Sequence, residues 1–168
     1  MKTLFLTIPL MFLVSCTKEV HWSDIVFNDE DCLIYLKGST TPFTGKVSGR
    51  KVVEGYEWSS EGYSKDGKQS GEAKFYKNGN LVQLTNSEDG VYHGEVIWFD
   101  TYGWDDYLGK NSMFEEGDID IKSFWIKGNV VGDVELRYPD GTIQMKKPEE
   151  VTNFPVNLTF RSEVCGMY

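Results

Sequence analysis

The chain has 168 residues, of which 17 are basic and 26 acidic, so its formal net charge is −9 at pH 7. This balance argues against a nucleic-acid partner, which requires a basic face, and against adhesion to anionic lipid by charge. An aromatic content of 14% argues against a disordered chain, and the length fits one ordinary domain.

The N-terminus has the features of a secretory signal. Lys2 supplies a positive charge, residues 4–12 form an apolar run, and Leu13-Val14-Ser15-Cys16 follows. The run is too short to span a bilayer as a mature helix. Its last four residues resemble the lipobox of bacterial lipoprotein signal peptides. The resemblance implies that residues 1–15 are removed as a signal peptide and that Cys16 is lipidated, which anchors the mature chain to the membrane.

The same resemblance implies a location. Thr17 follows Cys16 where an aspartate would favour retention in the inner membrane. We therefore expect a protein of the cell envelope, lipid-anchored in the outer membrane. Removal of Lys2 with the signal leaves 16 basic and 26 acidic residues, a net charge of −10, so the membrane link must come from the acyl chains.

Residues 16–40 are predicted to be the lipidated N-terminus, a linker and a cap. The stretch 18–28 has four apolar residues that favour docking on the domain, Trp22, Ile25, Val26 and Phe27. With Cys16 assigned to lipid, Cys32 and Cys165 remain. In an oxidising compartment they are most simply interpreted as one disulfide, which on the chain-entropy model contributes about 4–5 kcal/mol.

A glycine pattern recurs at three places, residues 67–71, 90–94 and 128–132. Each is Gly-x-x-x-Gly followed by an acidic residue. Apolar residues stand two and four positions after the second glycine, which places them on one face of a strand. These residues are Ala73 and Phe75, Val96 and Trp98, and Val134 and Leu136.

Turns and return strands complete the first and the third of these units. Asn78-Gly79 precedes residues 81–84, and Pro139-Asp140-Gly141 precedes residues 142–145. One hairpin cannot bury its apolar face alone, whereas stacked neighbours can. The prediction is an all-β fold in which antiparallel hairpins stack into an elongated sheet with capped ends.

These stretches resemble the MORN-repeat family, and more closely its bacterial variant repeats of the YwqK type. Residues 128–141 match the family pattern best, and residues 41–47 resemble the opening of a variant repeat. The resemblance covers residues 41–145 and implies a MORN-like array with an insert at about 104–125. Residues 146–168 are then a C-terminal capping segment.

The insert is the first candidate site. Trp104, Asp105, Asp106 and Tyr107 combine aromatic and acidic side chains, as a partner-binding loop would. The alternative is an enlarged hairpin whose aromatics cap a repeat and whose acids face water. Clustered acids also suit calcium, but no EF-hand spacing is present, and we predict no metal site. The acids concerned are Asp105, Asp106, Glu115, Glu116, Asp118 and Asp120.

Two further patterns concern the repeats. Glu72, Glu95 and Asp133 occupy one place in each unit, which predicts either an acidic stripe that attracts a basic partner or a solvated face that discourages edge pairing. His93 and Glu95 lie two residues apart and offer a dyad, although a surface histidine is the simpler interpretation. No nucleophile elbow or zinc-protease motif occurs, so no catalytic residue is predicted.

These observations favour a non-catalytic scaffold that binds another envelope protein through its repeat surface, with no cofactor and no nucleic acid. One alternative, implied by the antitoxin label of the YwqK-type family, is an inhibitor or immunity protein that neutralises a basic toxin. A second alternative is an enzyme acting on cell wall or carbohydrate, which would need paired carboxylates in a pocket.

Overall fold

The computed structural model describes residues 18–28, 30–53, 55–99 and 119–151. They form fourteen strands and two 3-10 helices, Trp22–Asp24 and Pro148–Glu150. The strands are β1 Glu19–His21, β2 Ile25–Asn28, β3 Leu33–Leu36, β4 Gly45–Val53, β5 Tyr56–Lys65, β6 Lys68–Gln69, β7 Gly71–Lys77, β8 Asn80–Glu88, β9 Val91–Tyr92, β10 Gly94–Trp98, β11 Asp120–Ile126, β12 Asn129–Val130, β13 Val134–Arg137 and β14 Ile143–Lys146. The predicted all-β class is confirmed.

Twelve of these strands form one extended sheet in the order β1-β4-β5-β7-β8-β10-β11-β13-β14. The two-residue strands β6, β9 and β12 pair with β5, β8 and β11 respectively. Among the described strands, β1 runs parallel to its neighbour β4, and the other pairs are antiparallel. β2 and β3 form a separate hairpin.

The sheet has two faces of different character, which we call the inner and the outer face. The inner face carries Ala73, Val96, Trp98, Val134 and Leu136, all buried, and the half-buried Phe75. The predicted alternation along these strands is therefore confirmed. On the outer face, one cross-strand row runs through Glu61, Lys74, Leu84, Ile97, Lys122, Glu135 and Met145.

Three hairpins of the sheet share a turn geometry. Asp66–Gly67, Asp89–Gly90 and Lys127–Gly128 each join a long strand to a two-residue strand, and both residues of each turn have φ between 50° and 80°. This pair of positive φ angles defines a type I′ turn, whose twist matches the twist of the strands. A backbone amide then ties each turn to an earlier segment. Gly67 donates to Phe43, Gly90 to Gln69 and Gly128 to Tyr92, at 2.8–3.0 Å.

The β2–β3 hairpin lies over the inner face of β4, β5 and β7. The backbone amide of Ile34 donates to the carbonyl of Gly67 at 2.8 Å, and Phe43 donates to Ile34 at the same distance. A Cβ on Gly67 would stand 2.8 Å from the Cβ of Leu33, so the hairpin packs directly on the Asp66–Gly67 turn. Trp22, Ile25 and Phe27 face the sheet, as expected, whereas Val26 is exposed.

Two segments near predicted boundaries are strands of the main sheet. Within residues 16–40, predicted to be the N-terminus, a linker and a cap, Glu19–His21 is a strand and pairs with Lys46–Ser48. The insert expected at about 104–125 extends into β11, which pairs with β10 on one side and β13 on the other. The reason is the alternation of buried Ile121, Ser123 and Trp125 with exposed neighbours, which makes this segment part of the sheet.

Large side chains fill the C-terminal half of the inner face. Val96, Ile121, Trp125, Val134 and Leu136 are fully buried in one cluster. The Trp125 ring meets the Tyr92 ring edge-to-face with centroids 5.3 Å apart, and its Nε1 donates to Ser123 Oγ at 2.7 Å. The indole thus satisfies its polar atom inside the core.

Candidate functional site

Most residues singled out for lipidation, a disulfide or partner binding lie outside the described part of the chain. These are Cys16, Trp104, Asp105, Asp106, Tyr107 and Cys165. Cys32 is disulfide-bonded, but both other cysteines are outside the described residues, so its pairing with Cys165 stays a prediction. Among the described surfaces, the outer face and a cleft on the inner face are the most distinctive.

The outer face between β5 and β10 carries interleaved charges. Tyr76 Oη donates to Glu61 Oε1 at 3.2 Å, and Lys74 Nζ lies 2.7 Å from Glu72 Oε1. On the next strands Lys122 pairs with Glu95, and Asn86 Nδ2 donates to the Glu95 carbonyl at 2.9 Å. Pairs of opposite charge on neighbouring positions of a sheet stabilise it modestly and keep its exposed face soluble.

The ionisation of this surface follows from those contacts. The hydrogen bond from Lys74 to Glu72 raises the pKa of the lysine, so the ammonium stays charged. Partial desolvation, followed by the nearby Glu61 carboxylate, raises the pKa of Tyr76, so the phenol stays neutral. At neutral pH the outer face presents paired, fixed charges.

These pairs bear on the predicted acidic stripe. Glu72 contacts Lys74, and Glu95 contacts Lys122, so two of the three acids that recur in the glycine pattern have a cationic neighbour. Asp133 is exposed just before β13. The repeated acids therefore belong to a surface of mixed sign, which corresponds to the solvated-face interpretation.

The outer face carries large apolar side chains at β11 and β14, on either side of the charged strand β13. Phe124 is 51% exposed, Met145 is 58% exposed, and Ile126 and Ile143 are exposed beside them. We call these four residues the apolar end of the outer face. They lie among the charged Lys122, Glu135 and Arg137, and Arg137 is bonded to Glu135 at 2.9 Å. Aromatic and methionine side chains surrounded by polar groups are typical of protein-binding surfaces.

The dyad considered for His93 and Glu95 does not form. His93 Nδ1 lies 3.4 Å from Glu88 Oε2, and Glu95 contacts Lys122 instead. His93 lies between β9 and β10, where the backbone turns into the next strand. The arrangement is a surface contact and offers no general base positioned against a nucleophile.

A metal site was also considered from the acids of residues 105–120. Asp120 lies in β11, and the other five acids are outside the described residues. Within the described ranges, no cluster of three or more His, Cys, Asp or Glu side chains is arranged to hold a metal ion. The same ranges contain no helix with the length and apolar character needed to cross a bilayer.

The inner face contains an open cleft of about 350 Å³ below the β2–β3 hairpin. Its floor consists of small residues, Ser60, Gly62, Ser64 and Ala73, and its walls are aromatic and aliphatic, including Trp22, Phe27, Ile34 and Phe75. The volume is at the lower end of the roughly 300–1,000 Å³ typical of small-molecule sites. Ser64 Oγ donates to the Phe43 carbonyl at 3.0 Å, so the cleft floor is tied to the segment that leads into β4.

The sequence did not single out the apolar end of the outer face. Its signal was present in β11, where Phe124 and Trp125 are adjacent and must point to opposite faces. Which of the two is buried depends on the strand register, because a shift of one residue exchanges the faces. The structure buries Trp125 and exposes Phe124.

The chain has no significant match among protein-family models, curated proteins or solved structures.

Proposed function

We propose that this chain is a lipid-anchored envelope protein that acts as a non-catalytic scaffold, binding a protein partner through the outer face of its sheet. The observation that carries the proposal is the apolar end, where Phe124 on β11 and Met145 on β14 are more than half exposed, on the two strands that flank β13. Exposed apolar side chains rimmed by polar residues are a recurrent feature of interaction surfaces.

The recurrence of the turns supports a repeat origin for this surface. Asp66–Gly67, Asp89–Gly90 and Lys127–Gly128 have the same backbone geometry and the same kind of amide bond to an earlier segment. We interpret the hairpins as copies of one unit similar to the MORN-variant repeats. Stacked units extend a face without enclosing a pocket, which suits a binding surface better than a catalytic site.

The paired charges weigh against the antitoxin-like alternative. A blocker of a basic toxin would gain from unneutralised acids on its binding face, whereas Lys74 and Lys122 already pair with Glu72 and Glu95. Capture of a single basic partner would nonetheless favour that alternative.

The proposal is tested by crosslinking in living cells. A photoreactive residue is placed at Phe124 in the natural host, with the protein at native level. The matched control places it at Val52, which is also on the outer face and 69% exposed but lies near the opposite edge of the sheet. Capture of envelope proteins from position 124 and not from position 52 is the expected result.

Serine variants of the apolar end test the same binding surface. Phe124→Ser and Met145→Ser should abolish capture by a photoreactive residue at Ile126 while leaving stability within about 0.5 kcal/mol, since both side chains are exposed. Equal capture from positions 124 and 52, or capture unaffected by the serine variants, would refute the assignment of the binding surface.

A further inference from the structure

The chain enters the main sheet almost immediately after the predicted lipid anchor. The carbonyl of Lys18 accepts a hydrogen bond from the Lys46 amide at 2.8 Å, and Glu19 is already in register with Lys46. A Cβ on Gly45 would stand 2.2 Å from the Lys18 carbonyl oxygen, so the two backbones are in close contact there. Lys18 is thus fixed to the folded domain.

This leaves a very short tether. Only Thr17 separates Lys18 from Cys16. Two residues span at most about 7 Å when fully extended. That reach is comparable to a Debye length at physiological ionic strength, about 8 Å, so charges at this end of the domain act on the membrane surface.

We infer that the end of the sheet next to Lys18 rests on the lipid headgroups, with the turn from Lys65 to Lys68 as its main contact. This inference rests on the lipid anchor of the proposed function. Ser64, the residue before that turn, pairs with Gly45, so the turn lies at the end where Lys18 enters. Two strand spacings, about 10 Å, separate Lys18 from the turn.

The charges at this end are of mixed sign. Three lysines, Lys18, Lys65 and Lys68, are exposed there beside the acids Asp66 and Asp89, in a chain whose net charge after the predicted cleavage is −10. The Asp66 backbone and carboxylate both contact the Thr44 hydroxyl, at 2.8 and 3.4 Å, which holds the acid against the domain. Lysines near an anionic surface each contribute about 1 kcal/mol, so the contact orients the domain while the acyl chains retain it.

The test uses the full lipoprotein in vesicles of phosphatidylethanolamine and phosphatidylglycerol. A photoreactive residue replaces Lys68 in one variant and Asn80 in another. Asn80 is exposed at the start of β8, next to the Asn78–Gly79 turn at the other end of the same strands. Crosslinking to lipid from position 68 and not from position 80 is the expected result.

A spacer variant separates the inference from the anchor itself. Insertion of about 12 glycine and serine residues between Thr17 and Lys18 gives the domain about 20 Å of additional reach. Labelling with radioactive palmitate should be unchanged, while the lipid crosslink from position 68 is lost. Absence of palmitate from the natural chain would refute the anchor. A palmitoylated chain with no crosslink from position 68, or one that persists with the spacer, would refute the membrane contact.

Discussion

The two halves of the inner face bury their residues in different ways. In the C-terminal half, Val96, Trp125 and Val134 belong to a cluster of fully buried side chains. In the N-terminal half, the small residues of β5 and β7 are covered by the β2–β3 hairpin, and a cleft of about 350 Å³ remains. The comparison shows that one strand pattern can support both a filled core and an open cleft.

One position explains much of the difference. Ala73 stands two residues after Gly71, just as Val96 follows Gly94 and Val134 follows Gly132. On the neighbouring strand, Gly62 lies directly against it, since a Cβ there would approach the Ala73 Cβ to 3.1 Å. Ala73 and Gly62 are small, and the β2–β3 hairpin above them does not fill the space that Val96 and Val134 fill in the other units. The cleft therefore remains open.

The largest expected effect on stability comes from deleting an aromatic ring, once in the filled half of the inner face and once in the half that contains the cleft. Trp125→Ala deletes a fully buried indole and should lower the free energy of unfolding by about 3–5 kcal/mol. Phe75→Ala removes a half-buried ring that lines the open cleft, so its cost should be clearly smaller. Chemical denaturation of the purified protein measures both. Equal losses would show that the cleft half is packed as tightly as the core.

The pH dependence of stability tests the packed half. Burial raises the pKa of Tyr92 to about 12 from its ordinary value of 10.0. The folded state therefore keeps a proton that the unfolded chain loses above pH 10. Each pH unit between 10 and about 12 should remove about 1.4 kcal/mol of stability.

Denaturation at pH 9 and pH 11.5 measures this effect against Tyr92→Phe, which lacks the titrating phenol. The loss of stability between the two pH values should be smaller in the variant. An equal loss in both proteins would mean that Tyr92 ionises in the folded state as readily as in the unfolded chain.

A matched serine pair probes packing with the same substitution. Ser123→Val removes the acceptor of the buried Trp125 Nε1 and should cost about 1–3 kcal/mol. Ser60→Val places a β-branched side chain in the cleft and should be neutral or stabilising by up to about 1 kcal/mol. Thermal unfolding ranks the two variants. Destabilisation by Ser60→Val equal to that by Ser123→Val would mean that the cleft cannot accept the added volume.

The smallest expected difference separates two turn glycines with the same φ of 80°. Gly79→Ala meets open space and should cost only the backbone strain, about 1–2 kcal/mol. Gly67→Ala carries the same strain and also pushes its Cβ to 2.8 Å from Leu33, so it should cost more. Urea denaturation gives the difference, which reports how closely the β2–β3 hairpin packs on its turn. No difference would place the hairpin farther from the turn.

The sequence predicted the parts of the fold that local chemistry decides. The alternation of Val96 and Trp98 and the turn at Asn78–Gly79 each follow from neighbouring residues, and β10 and the β7–β8 hairpin formed as expected. β1 was missed because Glu19, Val20 and His21 have no strand pattern of their own. The β4 backbone supplies their hydrogen-bond partners, and this contact is distant in sequence.

The candidate site was less predictable for the same reason. Spacing between glycines assigned residues up to about 125 to an insert, although Ile121, Ser123 and Trp125 alternate inward in β11. The exposure of Phe124 follows from the register of β11 against β10 and β13, which no single strand determines. The interaction surface is thus a product of strand pairing.

The short strand β1 has a consequence for the solubility of the purified protein. It pairs with Lys46–Ser48, so it covers part of the backbone of β4, which would otherwise be an open edge. Open edges recruit strands from other molecules, which leads to aggregation. A recombinant form that starts after His21 would expose those groups, so soluble protein for experiments should retain the residues from Lys18 onward.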